Sequence, residues 1–418
     1  MKHVIIGNGP AGVVAAEALR RHDALAEIAL IGDEAEPPYS RMALPYFLMG
    51  RIDVAGTHLR KSHDHYVKHG IHLIQGRVAK VDGGARQVEF EGGERLAYDR
   101  LLIATGSRPL RPPVPGMDLP GVHTCWTLDD ARQIAARAKP GSRVLLIGAG
   151  FIGCIIMEAL AARGVALTVV EMGGRMVPRM MTEKAGGLIR KWVEAKGVKV
   201  HVDTGVTAIA AKNGTLVAQV GGNGAVVADL VICAAGVRPN IGFLAGSGIN
   251  TGSGIRVDAS MRTNVEGIYA AGDVTEAAGF HSGKPELNAI QPNAADQARI
   301  AAANMALGKP GAPVASQGSL AINVLDTLGL ISASFGQWWG EPGGESVELA
   351  DEARYRYLSL QFGGEKLIGA TAIGWTEHVG VLRGLIQGRV RLGHWKRRLL
   401  ADPTQFMAAY LAAGQKAA

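Results

Sequence analysis

The sequence predicts an α/β fold with two parallel-sheet domains of one type, one inserted into the other, and a smaller α+β domain at the C-terminus. Two segments of the pattern Gly-x-Gly-x-x-Gly begin at Gly7 and Gly148, each between a short apolar run and a helix-like stretch. Five prolines between Ser107 and Gly121 indicate a crossover connection. From Ser319 onward, alternating strand-like segments replace the strand–helix alternation.

The first glycine-rich segment has the pattern of a dinucleotide-binding loop. It follows the apolar run 3–6, and its residues are Gly7, Asn8, Gly9, Pro10, Ala11 and Gly12. In such loops the first glycine permits a tight turn, the second lets a pyrophosphate approach the backbone, and the third lets helix and strand pack closely. The free N–H groups of the helix N-terminus then face the phosphates. Asp33, just after a predicted strand over residues 27–31, is the expected ribose-binding acid.

The second segment repeats the first in the same context. It follows the apolar run 144–147, and its residues are Gly148, Ala149, Gly150, Phe151, Ile152 and Gly153. Glu171 ends the next predicted strand, residues 166–170, as Asp33 does in the first copy. The sequence therefore predicts a second dinucleotide site.

The repeat extends beyond the loops and sets the domain boundaries. Ala104, Thr105 and Gly106 follow the apolar run 101–103, as Ala235 and Gly236 follow the run 231–233. After the second copy the chain returns to the first domain with an apolar strand that ends in Gly272 and Asp273. We predict two Rossmann-like domains, the first formed by residues 1–116 and 245–318 and the inserted one by residues 117–244. Residues 319–418 form the predicted C-terminal α+β domain.

The C-terminal domain is predicted from its alternation of residue types. Residues 355–362 alternate like a half-buried strand, and residues 366–374 form the expected hairpin partner. Residues 376–387 are predicted as a helix, with Val379, Leu382 and Ile386 on one stripe.

Composition narrows the functional classes. The 418 residues exceed what one core usually supports, and the formal net charge of +7 is modest for this length. Aromatic and basic residues do not interleave as on a nucleic-acid surface, so no nucleic-acid partner is expected. No apolar run reaches the roughly 18 residues of a membrane span, so membrane association is not expected. Because the first strand starts at residue 3, we expect no secretory leader and a cytoplasmic protein.

The three cysteines, Cys125, Cys154 and Cys233, are far apart and have no Cys-x-x-Cys or metal-type spacing. We expect no metal site. Cys154 and Cys233 lie in predicted helix and strand, so they are expected to be small buried side chains.

Taken together and in this order, the motifs resemble the FAD- and NAD(P)H-dependent pyridine nucleotide oxidoreductases. They are the two glycine loops, Ala-Thr-Gly-Ser-Arg-Pro at 104–109, Ala-Gly-Val-Arg-Pro-Asn at 235–240 and Ala-Gly-Asp at 271–273. The resemblance covers nearly the whole chain. Within the family, residues 39–41 and the C-terminal domain look closest to the flavoprotein parts of assimilatory nitrite reductases, rubredoxin reductases and related NADH oxidases.

The resemblance implies that the first loop holds FAD. Arg41 would lie near the flavin or pyrophosphate, and Asp273 would accept a hydrogen bond from the ribityl chain. The implied FAD-binding residues are Gly7, Gly9, Pro10, Ala11, Gly12, Asp33, Arg41, Ala104, Thr105, Gly106, Gly272 and Asp273.

The resemblance also implies that the inserted loop holds NADH. The implied residues are Gly148, Gly150, Phe151, Ile152, Gly153, Glu171, Ala235 and Gly236. A carboxylate at Glu171 favours a free ribose 2′-hydroxyl and repels a 2′-phosphate. Arg175, four residues later, could still bind that phosphate, so NADPH is the less favoured alternative.

Two departures from the family pattern narrow the chemistry. Met42 stands before Ala-Leu-Pro-Tyr, where thiol-using relatives have cysteine, so thiol–disulfide exchange is not expected. Ile155 stands where many relatives have glutamate, and Pro45 lies in the segment that often carries a lysine. By resemblance Ile155 and Pro45 lie near the flavin. No side chain is a certain catalytic residue, because the flavin itself carries the chemistry.

We therefore expect an FAD-dependent oxidoreductase that accepts a hydride from NADH and passes electrons to a separate redox partner or a small acceptor. The partner would be an electron carrier of rubredoxin or ferredoxin type, or a reductase or oxygenase subunit. Two alternatives stay open, namely a stand-alone NADH oxidase or peroxidase and a regulatory flavoprotein that binds FAD and NAD. Family likeness alone suggests a homodimer.

The basic run 389–398 precedes apolar residues at Phe406, Met407, Tyr410 and Leu411. It would dock an acidic electron carrier, lie on a membrane surface, or form the solvated edge of a subunit contact. The sequence leaves the acceptor and the oligomeric state open.

Overall fold

The computed structural model describes residues 1–222, 224–306 and 313–414. Its strands, in chain order, are β1 Lys2–Ile6, β2 Glu27–Gly32, β3 Ile71–Gln75, β4 Val78–Asp82, β5 Gln87–Phe90, β6 Arg95–Ala97, β7 Arg100–Ile103, β8 Ser107–Pro109, β9 Val122–Thr124, β10 Arg143–Ile147, β11 Ala166–Val170, β12 Lys199–His201, β13 Val206–Lys212, β14 Thr215–Val220, β15 Gly224–Ala228, β16 Leu230–Cys233, β17 Val237–Pro239, β18 Ile255–Arg256, β19 Ile268–Ala270, β20 Thr275–Ala278, β21 Pro285–Leu287, β22 Ile322–Thr327, β23 Leu330–Gly336, β24 Glu345–Asp351, β25 Arg356–Gly363 and β26 Lys366–Ile373. Its α-helices are α1 Pro10–His22, α2 Leu44–Leu48, α3 Val54–Thr57, α4 His65–Lys68, α5 Leu128–Arg137, α6 Phe151–Ala162, α7 Glu183–Ala195, α8 Gln291–Ala306, α9 Gly380–Gln387, α10 His394–Ala401 and α11 Phe406–Gly414.

Contacts between residues divide the chain into two compact units. The first comprises Met1–Phe47, Ile52–Arg108 and Val237–Leu320, and the second comprises Leu48–Arg51, Pro109–Gly236 and Ala321–Ala418. Strands β8 and β17, at the two ends of the insertion, pair as a two-stranded sheet. Because Ala321–Ala418 belongs to the second unit, the C-terminal residues are grouped with the inserted domain.

The first unit is built on a parallel sheet of order β19-β7-β1-β2-β3. Strand β1 is central, and its residues alternate between two apolar cores. Ile5 packs in the core that includes α1 and α8, whereas Val4 packs in the core on the other side of the sheet. Helix α1 starts with Pro10 and ends in a basic turn, both of which suit the helix termini. The first glycine loop therefore lies at the carboxyl edge of a rigid sheet.

The second unit repeats this plan with the order β12-β11-β10-β16-β9, again all parallel. Both copies insert an antiparallel three-stranded meander before the fourth strand of the repeat, β4–β6 in one and β13–β15 in the other. The outermost strand differs, because β19 comes late in the chain whereas β9 precedes β10. The repeat and the two parallel-sheet domains predicted from the sequence are thus confirmed.

The C-terminal sheet is antiparallel, with the order β22-β23-β26-β25-β24. The predicted hairpin is β25 and β26. The predicted helix over 376–387 is wrong at its start, because α9 begins at Gly380. His378 has a φ of +59°, in the left-handed region, which is incompatible with a right-handed helix at that residue. Leu382 and Ile386 of the predicted stripe are buried.

Within the second unit, the C-terminal sheet is joined to the inserted domain by α7. The indole N–H of Trp192 donates to the backbone carbonyls of Thr327 and Leu328, at 3.0 and 3.1 Å. Lys191 forms an exposed ion pair with Glu352 at 2.6 Å. The two indole bonds fix the β22–β23 turn against the helix, whereas the exposed pair adds little.

Candidate functional site

The first glycine loop combines two tightly packed glycines with one open glycine. Gly7 has a φ of +109°, and a Cβ there would lie 2.2 Å from the carbonyl oxygen of Ala104. A Cβ at Gly12 would lie 1.8 Å from the carbonyl oxygen of Gly7. A Cβ at Gly9 would meet nothing within 4 Å. The protein's own packing therefore requires Gly7 and Gly12, whereas Gly9 leaves open space beside the start of α1.

The second loop repeats this geometry. A Cβ at Gly148, whose φ is +102°, would lie 2.5 Å from the carbonyl oxygen of Ala234, and one at Gly153 would lie 2.1 Å from that of Gly148. A Cβ at Gly150 would again meet nothing within 4 Å.

Both open glycines are the N-caps of their helices and have nearly the same backbone angles. Gly9 has φ −74° and ψ −171°, and Gly150 has φ −75° and ψ −168°. In the described structure neither α1 nor α6 has a side-chain N-cap hydrogen bond, so the first N–H groups face the open space. Open space beside free N–H groups at a helix N-terminus is what a pyrophosphate requires. The residues present at both loops fit a bound dinucleotide.

The strand-end acids differ between the two loops. Glu171 accepts hydrogen bonds from the N–H of Ala149 at 2.7 Å and from the N–H of Gly173 at 2.8 Å. It thereby holds the second glycine loop. Asp33 is exposed and makes no hydrogen bond to the described residues.

The strand register explains this difference. Ile6 pairs with Ile31 and Ile147 pairs with Val170, so the position equivalent to Glu171 is Gly32, and Asp33 is one residue later. A Cβ at Gly32 would lie 2.1 Å from Nδ2 of Asn8. The Asn8 side chain thus occupies the space in which Glu171 lies in the second copy. The sequence reasoning missed this role of Asn8. The signal for it was the glycine at the end of β2, because a residue without a side chain at Gly32 leaves space for a neighbouring side chain.

Arg175 is held by the loop that follows β11. Its guanidinium donates to the carbonyls of Met181 and Pro178, at 2.8 and 3.1 Å. These bonds leave fewer donors for a 2′-phosphate than a free arginine would offer.

Asp273 lies at the carboxyl end of β19, behind Gly272. The Ser107 hydroxyl donates to Oδ2 of Asp273 at 3.1 Å, and the N–H of Gly272 donates to Oε1 of Gln297 at 2.8 Å. Burial raises the pKa of Asp273, opposed by the Ser107 hydrogen bond and by the positive charge of Arg41. Ser107 and Gln297 thus fix a carboxyl group at the sheet edge that also carries the first glycine loop.

Arg41 is held by partners that the sequence reasoning did not identify. Its guanidinium forms an ion pair with Glu34 at 2.8 Å and lies 5.7 Å from the centre of the Tyr39 ring. The Tyr39 hydroxyl donates to the other oxygen of Glu34 at 2.6 Å. The Glu34 carboxylate therefore orients both Arg41 and Tyr39.

A cavity of about 300 Å³ adjoins the first loop, and its lining includes Asn8, Gly32, His58 and Arg60. Arg60 donates two hydrogen bonds of 2.6 Å to the carboxylate of Glu17 on α1. No local motif signals this pair, because 43 residues separate its members.

The Ala-Thr-Gly segment at 104–106 and the Ala-Gly segment at 235–236 follow their strands as expected. Thr105 donates from its hydroxyl to the carbonyl of Asn240 at 2.9 Å, and Ala104 is bonded to Ile6 through its N–H. In the second unit, the carbonyl of Gly236 accepts from the N–H of Leu110 at 2.8 Å. Pro45 lies in the first unit, at the second residue of α2. Ile155 lies in the second unit, on α6.

The cysteines lie away from solvent. All three are free and buried, and burial raises the pKa of Cys125 and Cys154 to about 12. The thiolate that disulfide exchange needs is therefore disfavoured at these two positions. Met42, in the slot where thiol-using relatives have cysteine, is 45% exposed.

The basic C-terminal segment is partly engaged with the protein itself. Lys396 pairs with Glu345, and the Arg398 guanidinium lies 4.8 Å from the centre of the Trp395 ring. On α11, Phe406 is buried, whereas Tyr410 and Leu411 are 40% and 57% exposed. None of the described helices is both long and apolar enough to pass through a membrane.

Comparison with known proteins identifies the family. The family model described as pyridine nucleotide-disulphide oxidoreductase matches residues 1–304. The chain is 31% identical over 413 residues to the NADH-dependent phenylglyoxylate dehydrogenase subunit epsilon of Aromatoleum evansii, covering 96% of this chain and 95% of that protein. It is 32% identical over 315 residues to an NADH oxidase of Methanocaldococcus jannaschii, covering 73% and 70%.

A solved structure agrees with these relatives. The crystal structure of a ferredoxin reductase from Rhodopseudomonas palustris superposes with a TM-score of 0.83 at 28% identity, covering 90% of this chain and 92% of that one. The chain belongs to the pyridine nucleotide-disulphide oxidoreductase family and is an FAD-dependent NAD(P)H oxidoreductase with the two-domain dinucleotide-binding fold.

Proposed function

We propose that the protein takes reducing equivalents from NADH and delivers them to a separate electron-carrier protein. The observation that carries the proposal is the pair of equivalent loops in which Gly9 and Gly150 leave open space at uncapped helix N-termini. Bound FAD supplies the redox chemistry, because it accepts a hydride and releases electrons singly or in pairs. The protein supplies binding and orientation.

The individual residues have distinct roles in this proposal. The N–H groups at the start of α1 bind the pyrophosphate of FAD, and those at the start of α6 bind that of NADH. Asp273, oriented by Ser107, accepts a hydrogen bond from the ribityl chain. Ile155 and Pro45, which family resemblance associates with the flavin, are apolar and transfer no proton. Correct positioning of two bound reactants gains about 7–11 kcal/mol over free encounter.

We infer a preference for NADH over NADPH. Glu171 presents a carboxylate held by two backbone N–H groups, and Arg175 is bonded to two carbonyls of its own loop. A 2′-phosphate would meet a fixed negative charge with little compensation. Steady-state kinetics should give a kcat/KM for NADH at least tenfold above that for NADPH. A higher kcat/KM for NADPH contradicts the assignment.

We assign the acceptor to an acidic carrier protein of ferredoxin or rubredoxin type, or to a larger enzyme of which this chain is a subunit. The names of similar proteins support both, since they include a ferredoxin reductase and a dehydrogenase subunit. Charge complementarity also supports an acidic carrier, because the basic residues of α10 outnumber its acidic residues.

An acceptor screen with variants tests this assignment. In the double variant Arg397→Gln, Arg398→Gln, NADH-dependent reduction of an acidic ferredoxin should fall about tenfold at low salt, because electrostatic steering is lost. Reduction of a small dye should not change. Lys199→Gln with Lys212→Gln is the matched control, since both lysines are exposed in the same unit. Equal ferredoxin rates in the two double variants argue against docking at α10.

The second candidate function is a stand-alone NADH oxidase, favoured by the similarity to the oxidase of Methanocaldococcus jannaschii. In the same screen, dioxygen alone should sustain less than a tenth of the turnover seen with a carrier. Rapid turnover with dioxygen alone assigns the oxidase function instead.

We also propose a homodimer in the cytoplasm. Exposed Tyr410 and Leu411 on α11 offer apolar surface for a second copy, and three free cysteines suit a reducing compartment. Analytical ultracentrifugation should give twice the chain mass of 43.8 kDa, and Leu411→Glu should shift it towards one chain. A wild-type protein that sediments as one chain at micromolar concentration contradicts the dimer.

A further inference from the structure

The cavity beside the first glycine loop has two polar side chains in its wall whose hydrogen bonding is incomplete. Its volume is about 300 Å³, and every residue that lines it belongs to the first unit. The hydroxyl oxygen of Tyr66 and Nε2 of His58 are buried, and neither has a hydrogen-bond partner among the described residues. Tyr66 as a whole is only 7% exposed. Buried polar atoms are normally hydrogen-bonded, so two such atoms in one cavity wall indicate that a ligand completes them.

The position of the cavity along the parallel sheet relates it to the first glycine loop. The strand order β19-β7-β1-β2-β3 places this loop, which follows β1, between the ends of the outer strands. Asp273 lies beyond the end of β19 on one side, whereas the cavity-lining residues Gly32 and Gln75 end β2 and β3 on the other. A dinucleotide with its pyrophosphate at the loop and its ribityl chain at Asp273 therefore extends its other half towards the cavity.

The charged groups in the cavity wall do not suit a phosphate. The Arg60 guanidinium donates two hydrogen bonds of 2.6 Å to the Glu17 carboxylate and one of 2.7 Å to the carbonyl of Leu59. Glu34 and Glu36 add two carboxylates to the lining. A phosphate would meet these carboxylates and an arginine that is already paired, so a neutral polar group is the better occupant.

The two unpartnered atoms match the polar edge of adenine. A phenol hydroxyl can donate or accept a hydrogen bond, and an imidazole nitrogen does either according to its tautomer. Adenine presents the N6 amine as a donor and N7 as an acceptor on one edge. Burial raises the pKa of Tyr66 to about 12, so its hydroxyl keeps its proton at neutral pH. A volume of about 300 Å³ is at the lower end of the range for ligand pockets, which suits one half of a dinucleotide.

We propose that Tyr66 and His58 recognise the adenine base of the bound FAD. The inference rests on the proposed function, in which the first glycine loop holds the FAD pyrophosphate. Tyr66 and His58 bind the base and transfer no atom. The Glu17–Arg60 pair has a positioning role, because it joins this part of the cavity wall to α1.

Calorimetric titration of the cofactor-free protein with FAD and with ADP tests the proposal. Tyr66→Phe should raise the Kd of both ligands about tenfold, because both carry the adenine and lose the same buried hydrogen bond. Tyr98→Phe is the matched control, since Tyr98 is a second buried tyrosine of the first unit and lies outside the cavity. It should leave both constants within twofold of wild type. His58→Leu should also raise both constants and replaces Tyr66→Phe if that variant folds poorly.

The melting temperature of the cofactor-free protein separates recognition from a structural role. It should be unchanged or higher in Tyr66→Phe, because the lost hydroxyl has no partner among the described residues. A lower melting temperature with both constants within twofold of wild type assigns Tyr66 a structural role and overturns the proposal.

The two ligands also distinguish the proposal from the proposed function. A weaker affinity for FAD without a weaker affinity for ADP overturns the proposal, because the effect would then act through the flavin half. A wild-type protein that binds FAD but not ADP overturns it as well. A wild-type protein that binds ADP but not FAD contradicts the proposed function and assigns the cavity to a free adenine nucleotide.

Discussion

The two glycine loops share one backbone geometry but stabilise it with different side chains. In each, two glycines pack against carbonyl oxygens and a third leaves open space at a helix N-terminus. In the second loop the Glu171 carboxylate bonds the backbone of Ala149, whereas in the first loop the Asn8 side chain fills the equivalent space over Gly32. The comparison shows that the packed glycines are fixed by the turn, whereas the side chain that fills the space at the strand end differs between the two loops.

The largest expected effect separates the packed glycines from the open ones. Gly12→Ala should destabilise the first unit by about 3 kcal/mol or more, because its Cβ would overlap the carbonyl of Gly7. Gly9→Ala should leave stability within about 0.5 kcal/mol, yet weaken FAD binding at least tenfold. Urea unfolding and FAD titration measure the two effects. Unaltered FAD affinity in Gly9→Ala would show that the open space does not receive the pyrophosphate.

The next largest expected effect is on the pH dependence of stability, in which the central strands β1 and β10 of the two parallel sheets differ. His3 in β1 is fully buried, and neither ring nitrogen has a hydrogen-bond partner among the described residues. Its counterpart in β10 is Val144. Burial, aided by the N-terminal charge, lowers the pKa of His3 to about 4. As the pH falls, the His3 imidazole is therefore protonated near pH 6.5 in the unfolded chain but only near pH 4 in the folded chain.

The contribution of His3 to stability is thus complete above pH 6.5 and is lost as the pH falls towards 4, by up to about 3 kcal/mol. His3→Val should remove this part of the pH dependence. Urea midpoints at neutral pH and at pH 4.5 provide the measurement. An identical loss in the wild-type and the valine variants would assign the acid sensitivity to other groups.

A smaller difference in stability is expected between variants of the two strand-end acids, Glu171 and Asp33. Glu171→Ala leaves the N–H groups of Ala149 and Gly173 without their acceptor, so it should cost about 1–3 kcal/mol and raise the KM for NADH at least tenfold. FAD content should not change. Asp33→Ala should cost less than about 0.5 kcal/mol, because the exposed Asp33 makes no hydrogen bond to the described residues. Equal costs at the two acids would remove the difference that we draw between the loops.

The smallest effect tests whether Asn8 takes the place of the acid. Gly32→Glu should destabilise the protein by about 1–2 kcal/mol, because the new side chain meets that of Asn8. The same change in an Asn8→Ala background reproduces the second loop and should recover at least half of the loss. A double-mutant cycle measures this coupling, and simple additivity would contradict it.

The sequence predicted the parts of the molecule that local chemistry dictates. Both glycine loops, their strands and helices, and the β25–β26 hairpin follow from residue spacing, because turns and alternation are local properties. The bonds of Ser107 to Asp273 and of Glu17 to Arg60 were not predictable, since they join residues far apart in the sequence that only the fold brings together. The Glu34–Arg41 pair lies within one irregular loop, whose conformation no periodic pattern specifies. The register difference between Gly32 and Glu171 needed the strand pairing itself.

The helix predicted over residues 376–387 shows that the start of a helix is harder to predict from sequence than its buried face. Its apolar stripe is correct at Leu382 and Ile386, but the left-handed backbone at His378 delays its start to Gly380. A residue other than glycine in that conformation gives no reliable sequence signal.

Anaerobic titration of the FAD-loaded protein with NADH tests the central claim most directly, that the two loops hold two different cofactors. We predict one FAD per chain, bleached by one equivalent of NADH in the wild-type protein. Gly150→Ala should keep its FAD but need a large excess of NADH, whereas Gly9→Ala should lose FAD. A protein that stays colourless with excess FAD, or whose flavin NADH does not bleach, would contradict the account.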